Sequence, residues 1–258
     1  CVGNIARTLL MMPTWTYSTS ADGLYVNLFA GGRVKVGRVA GTDLEVEQRT
    51  EYPWDGTVRI TVNPAAPARF AVRIRAPRRD VSTLYRATPE GDGITRAAVN
   101  GAPLALKVAH GYLEIDRTWT RGDTIEIVLP MPVQRVHASD RLVAGGNAPS
   151  PTRGKVALRV GPLVYNIEQV DQDISGSLEP SAPLSSEWRG SLLGGVRVIT
   201  GRFAGGAPLL AIPNYARYNR NPPPPPPPPQ PPAQAVGAAP PARPAPPPPT
   251  SIVWIREG

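Results

Sequence analysis

Residues 33–75, RVKVGRVAGTDLEVEQRTEYPWDGTVRITVNPAAPARFAVRIR, alternate apolar with polar side chains in four successive runs. The runs are RVKVGRV (33–39), DLEVEQR (43–49), TVRITV (57–62) and RFAVRIR (69–75). A period of two sends every second side chain to the same face of an extended chain, so each run predicts a half-buried antiparallel strand. Downstream the pattern continues. AAVNG (97–101) supplies an Asn-Gly hairpin turn, and YLEID (112–116) and DTIEIVLP (123–130) alternate again. Upstream, GLYVNLF (23–29) reads as the first strand. With turn signals at short intervals and no long helical stretch, this is a mainly β chain built from sandwich or barrel units.

Two segments break the period. In NIARTLLMM (4–12), Ile5, Leu9 and Met12 share one helical face; Asn4 is placed to cap the start and Pro13 to end the helix. Residues 221–249, NPPPPPPPPQPPAQAVGAAPPARPAPPPP, are low in complexity. Proline lacks a backbone donor, so this segment is expected to be a disordered insert between strands and not a domain boundary. Beyond a loop at 144–154 the strands are KVALRV (155–160), PLVYNIE (162–168), VRVITGRF (196–203), PLLAIP (208–213) and SIVWIRE (251–257), with a polar connection between 168 and about 190. The expected organisation is a helical segment over 1–20, a first β-sandwich over 21–143 and a C-terminal β-sandwich region over 144–258.

The 258 residues are 41% hydrophobic and 19% charged, which is globular in character. No run of about 18 apolar residues exists to form a membrane span. Residues 1–12 lack the basic start and cleavage site of a secretory leader. The net charge is +8, but only three of the 28 basic residues are lysine, and the arginines are scattered. Arg59, Arg73, Arg75, Arg117, Arg121 and Arg159 fall one or two at a time within alternating strands, which predicts a solvated sheet face and argues against nucleic acid as a partner.

Chemistry is sparse. Cys1, His110 and His137 are the soft metal ligands, without close-spaced pairing. The carboxylate pairs Glu45/Glu47 and Glu114/Asp116 each share a strand face, about 6.5–7 Å apart at their α-carbons. That separation suits acid–base work on a glycosidic bond, but i, i+2 acids flanked by arginine are also what any polar strand face presents. Trp15, Tyr25, Trp54, Tyr112 and Trp119 are candidates either for a sugar-stacking platform or for the core between the sheets. The residues alone define no active site.

The segments CVGNIARTLL, TYSTSADGLYVNLFAGG, FAVRIRAP, the Asn-Gly turn, GYLEIDRTWTRGDTIEIVLPM, GPLVYNIEQVD, LLGGVRVITG, AIPNYARYNR and the closing VWI resemble, in that order, the glycoside hydrolase family 127 proteins, the β-L-arabinofuranosidase-like enzymes. The resemblance implies tandem antiparallel β-sandwiches preceded by one helix left from an (α/α)6 catalytic barrel. It further implies a retaining hydrolase acting on a β-L-arabinofuranoside or related glycoside, with a zinc-bound cysteine nucleophile and a glutamate acid/base. The family signature is a Cys-Cys pair, two variable residues and Asn. Asn4 stands three residues after Cys1, so the resemblance makes Cys1 the second cysteine, a zinc ligand. The nucleophile and acid/base are then expected before residue 1, and this chain alone is expected to be inactive. The implied partners are the glycan substrate and the catalytic barrel, with homo-oligomer formation left open. Two alternatives stand beside this reading: a free carbohydrate-binding sandwich, and a scaffold that recruits proline-recognition domains through 221–249. Departures from the family are Arg78 and Arg217, where the family favours Trp, and the proline insert itself.

Overall fold

In a computed structural model, which describes residues 2–80, 82–144, 151–220 and 250–258, the alternating runs of 33–75 become four strands. They belong to a first unit, Cys1–Arg153 with Leu158–Leu163. In chain order this unit contains α1 (Val2–Thr16), β1 (Tyr17–Ser20), β2 (Gly23–Val26), β3 (Gly32–Val39), β4 (Thr42–Thr50), β5 (Thr57–Pro64) and β6 (Ala68–Arg75). There follow β7 (Tyr85–Thr88), β8 (Arg96–Val99), β9 (Ala102–Pro103), β10 (Val108–Ala109), β11 (Tyr112–Trp119), β12 (Asp123–Val128), β13 (Val133–Ala138) and α2 (Asp140–Ala144).

Two sheets form the sandwich, in the orders β1-β2-β6-β11-β10 and β3-β4-β5-β12-β8-β9. Val46 pairs with Val62 across β4 and β5, Ile60 with Ile125 across β5 and β12, and Val72 with Ile115 across β6 and β11. Because directly opposed residues face the same way, these registers point the paired valines and isoleucines inward. Leu24, Val72, Ile74, Leu113 and Trp119 from one sheet join Val46, Val58, Ile60, Val62, Ile125 and Ile127 from the other in a single buried cluster. The predicted turn at Asn100–Gly101 is present, both residues at positive φ (50° and 81°), which joins β8 to β9 as a tight hairpin. β2 runs parallel to β6, an exception to the antiparallel pattern.

The helix differs from its prediction. It starts at Val2, so Asn4 lies inside it and accepts a hydrogen bond from Arg7 Nη1 (3.0 Å) instead of capping; it also runs through Pro13 to Thr16. Pro13 cannot donate a helical bond, but the turn around it is held by other contacts. Thr14 Oγ1 donates to the Met11 carbonyl at 2.6 Å, and the buried Thr16 accepts from Asn27 N–H at 2.9 Å. A tertiary anchor at the helix end thus outweighs the proline. Tyr17–Ser20, which sequence reading left in the helical segment, is a strand paired with β2.

The second unit is Gly154–Ala157 with Val164–Gly258. It holds the start of β14 (Lys155–Val160), β15 (Leu163–Glu168) from Val164 onward, β16 (Ser177–Leu178), β17 (Ser185–Arg189), β18 (Val196–Arg202), β19 (Pro208–Pro213), β20 (Ser251–Ile252) and β21 (Ile255–Glu257). β17, β18, β19 and β15 lie side by side; β20 joins β15, and β21 pairs with the start of β14. Ile167, Ala211 and Ile199 oppose one another on one face, while Val196, Val198, Ile212 and Ala216 cluster on the other. Residues 185–189, read as polar connection, are an edge strand. SIVWIRE is two short strands and not one. Residues 221–249 lie outside the described residues.

Candidate functional site

Helix α1 exposes the apolar face on which its periodicity places Ile5, Leu9 and Met12. Ile5 is 65% exposed and Leu10 81%, and Leu9, Met11, Met12 and Trp15 are also open to solvent. An apolar helix surface of this kind is normally covered by a partner element. Cys1, the predicted zinc ligand at its start, lies outside the described residues.

The carboxylate pairs resolve in favour of a solvated, ion-paired sheet face. Glu47 receives Arg33 Nη2 at 2.8 Å and Arg49 Nε at 2.7 Å, and these guanidinium groups hold it below the ordinary glutamate range. Arg73 Nε meets Glu114 at 2.7 Å, and Arg69 Nη2 meets Asp116 at 3.1 Å. A glycosidic general acid must keep its proton near neutrality, which requires a raised pKa. Glu47 is displaced the opposite way by its two arginine partners.

Two arginines that sequence reading placed on a solvated face are instead enclosed. Arg73 bridges Asp22 (2.9 Å) and Glu114, and its guanidinium sits 5.1 Å from the Tyr25 ring centre. Paired with Arg73 and Ser20, Asp22 falls to a pKa of about 2. Arg159 is ion-paired with Asp80, and both side chains are largely buried. Asp80 also accepts from the Gly91 N–H (2.7 Å) and Gln134 Nε2 (3.0 Å). Burial opposes ionisation of Asp80. The Gly91 N–H, Gln134 and Arg159 together outweigh it and hold the carboxyl below its usual value. This network ties Asp80 and Gly91 to β13 through Gln134 and to β14 through Arg159.

His110, at φ 51°, forms the turn into β11 with Gly111, and His137 lies within β13. Among the described residues no three His, Cys, Asp or Glu side chains gather as a metal site, so they do not by themselves supply a donor set for zinc. The candidate aromatic platform separates into parts. Trp119 is fully buried and donates Nε1 to the Phe70 carbonyl (2.9 Å). Tyr25 and Tyr112 meet edge to face, 5.3 Å apart and 85° between planes, and so do not form one flat surface. Arg217, where the family favours Trp, lies 4.6 Å from the Tyr218 ring centre and donates Nη2 to the Ser251 carbonyl at 2.8 Å. It thus joins the residues before 221 to those after 249. No described helix is long and apolar enough to cross a membrane.

Comparison with known proteins identifies the domains to which these strands belong. Residues 23–131 match the family model for the β-L-arabinofuranosidase GH127 middle domain, and residues 135–224 match the glycoside hydrolase family 127 C-terminal domain. A non-reducing end β-L-arabinofuranosidase of Bifidobacterium longum subsp. longum is 34% identical over 178 residues, covering 66% of this chain and 23% of that protein. The crystal structure of Ara127N-Se, a GH127 β-L-arabinofuranosidase from Geobacillus stearothermophilus T6, matches with a TM-score of 0.73 at 27% identity, over 99% of this chain and 37% of that one. The GH127 β-arabinofuranosidase BT3674 matches with a TM-score of 0.72 at 27% identity, over 84% of this chain and 36% of that one. The chain therefore spans between about a quarter and two fifths of the length of these relatives. On the two consecutive domain matches and the shared fold, the chain belongs to glycoside hydrolase family 127, as its middle and C-terminal domains.

Proposed function

We propose that this chain is the sandwich portion of a retaining glycoside hydrolase acting on β-L-arabinofuranosides or related glycosides, and that it does not cleave them alone. The observation that carries this is the pairing of consecutive GH127 middle and C-terminal domain matches with relatives much longer than this chain. Two features of the molecule support it. The open apolar face of α1 has the character of a surface that a catalytic domain covers. The strand carboxylates tested for acid–base work are engaged by arginine. In this reading the nucleophile and acid/base come from residues outside this sequence, and Cys1 contributes one ligand to a zinc ion that lowers the pKa of a neighbouring thiolate when bound.

The test is the coding DNA immediately upstream of the Cys1 codon. The expected result is an in-frame extension of several hundred residues whose last codon is a second cysteine. A start codon or an unrelated reading frame there would overturn the proposal and leave a free-standing sandwich.

A further inference from the structure

The sheet β3-β4-β5-β12-β8-β9 of the first unit carries a groove of about 490 Å³ at its β8–β9 end. Burial fixes which side of the sheet it lies on. Ala97 and Val99 of β8, Ile125 and Ile127 of β12, and Val58 and Ile60 of β5 are in the core. Side chains alternate along a strand, so Arg96 and Ala98, Thr124 and Glu126, and Arg59 face outward. The registers set Arg59, Glu126, Ala98 and Pro103 in one row across four strands.

Side-chain size along that row makes the hollow. Ala98 and Pro103 give a low floor, while Arg59 and Glu126 form one wall, Arg96 one end, and Asn100 with Thr124 the other. The Asn100 end is held in place: its Nδ2 donates to Asp123 Oδ1 at 2.7 Å, and its Oδ1 accepts from the Thr124 N–H at 2.8 Å. At the other end Thr95 Oγ1 donates to the Val128 carbonyl at 3.0 Å and fastens the approach to β8. The groove is thus formed by the fold itself, as small-ligand sites usually are.

Its charges do not cancel. Glu126 accepts from Arg59 Nη2 at 2.8 Å. Arg96 Nη2 stands 3.7 Å from Glu126 Oε1, beyond hydrogen-bond length, and the Arg96 guanidinium makes no hydrogen bond to the described residues. The Arg96 side chain is 70% exposed. Two guanidinium groups against one carboxylate leave a single positive charge over the floor, and the free donors are those of Arg96. Glu126 is 33% exposed, and a carboxylate has more acceptor sites than one arginine fills.

We propose that this groove binds a sugar acid, whose carboxylate pairs with Arg96 and whose hydroxyls donate to Glu126 and to Thr124 Oγ1. The planar guanidinium fork matches a carboxylate with two parallel hydrogen bonds. A monoanion balances the surplus charge, whereas a phosphate dianion would also meet the Glu126 carboxylate. A nucleobase would call for an aromatic face to stack on, and none lines the groove. An apolar ligand would cover three charged side chains without pairing them. The volume lies within the range of small-molecule sites and admits about one or two sugar rings. The site serves binding and not cleavage, and it rests on the groove alone, independently of the hydrolytic reading.

The experiment is a saturation-transfer NMR titration of the whole 258-residue chain, at low salt, with galacturonate and glucuronate and with galactose and glucose as their neutral counterparts. The expected result is binding of at least one sugar acid, about tenfold or more tighter than its neutral counterpart. Arg96→Ala should weaken that binding about tenfold or more, and Arg96→Lys, which keeps the charge without the fork, by less. Ala98→Phe, which fills the floor, should also weaken it about tenfold. Absence of binding by both sugar acids would overturn the proposal. So would equal affinity for the neutral sugars, or R96A binding like the unaltered chain. If R96A shows no thermal unfolding transition, A98F decides, and undiminished binding by A98F overturns the site. None of these outcomes involves hydrolysis, so failure here leaves the proposed enzyme function standing.

Discussion

Trp119 is the largest fully buried side chain among the described residues, and its indole N–H satisfies the Phe70 carbonyl. Trp119→Ala should cost about 3–5 kcal/mol, through lost burial, a cavity and an orphaned carbonyl, read as a lower denaturant midpoint. An unchanged midpoint would mean that the two sheets do not rely on it. Asp80 makes a second case. Its folded-state pKa lies below the unfolded value, so its contribution is present above the unfolded pKa and is lost as pH falls through the folded one. Asp123, held low by the Thr120 N–H, Asn100 and Arg117 against burial, acts in the same direction. The thermal midpoint should therefore fall as pH drops below about 4, the ordinary aspartate value. Asp80→Asn should lower stability at neutral pH by about 3 kcal/mol, because Arg159 is left buried without its counter-charge, and should flatten the acid limb. A variant with the original acid profile would contradict the assignment. The burial of Trp119 between the sheets was among the sequence readings, but the Asp80–Arg159 pairing was not legible: a strand arginine such as Arg73 or Arg159 looks the same whether its face is open or covered by a loop.

Among the elements, those with an unbroken period of two were legible, because alternation and burial are the same fact in a sandwich. β4 buries Leu44, Val46 and Gln48 in turn, as DLEVEQR implies. Elements set by tertiary bonds were not. YSTS at 17–20 carries no apolar alternation and is a strand only because β2 pairs with it, and α1 passes Pro13 because Thr16 is anchored by Asn27. The strand holding Trp188 was hidden in a polar run for the same reason. Two predictions belong at this scale. Replacing residues 221–249 by a short Gly-Ser linker should leave the fold intact and shift stability by no more than about 1 kcal/mol. The flanks have their own anchors: Arg220 is bound to Glu168 (2.8 Å) and Asp171, and Gln169 N–H donates to the Thr250 carbonyl (2.9 Å). Loss of cooperative unfolding in the shortened chain would show that the insert holds these strands together. On the helix, Leu9→Glu with Leu10→Glu should leave unfolding within about 0.5 kcal/mol while reducing self-association in size-exclusion chromatography. Equal association of the variant would show that this face is not adhesive.

For the molecule as a whole, the sequence alone carried the fold class and the family resemblance, since both rest on strand period and on short motifs in a fixed order. The catalytic site could not be read the same way, because under the proposed function its nucleophile and acid/base lie outside these residues. Cys1 is the one position predicted to touch that chemistry. The open helix face, the arginine-engaged carboxylates and the short span relative to the relatives converge on one claim: the reaction needs a further domain. The direct measurement is release of arabinose from a synthetic aryl β-L-arabinofuranoside by the 258-residue chain and by a protein extended upstream through the preceding coding sequence, at equal concentration. The expected result is release by the extended protein and none above buffer by the chain alone. Release by the chain alone, abolished by a substitution within its own residues, would contradict the claim and place a catalytic centre inside the sandwiches.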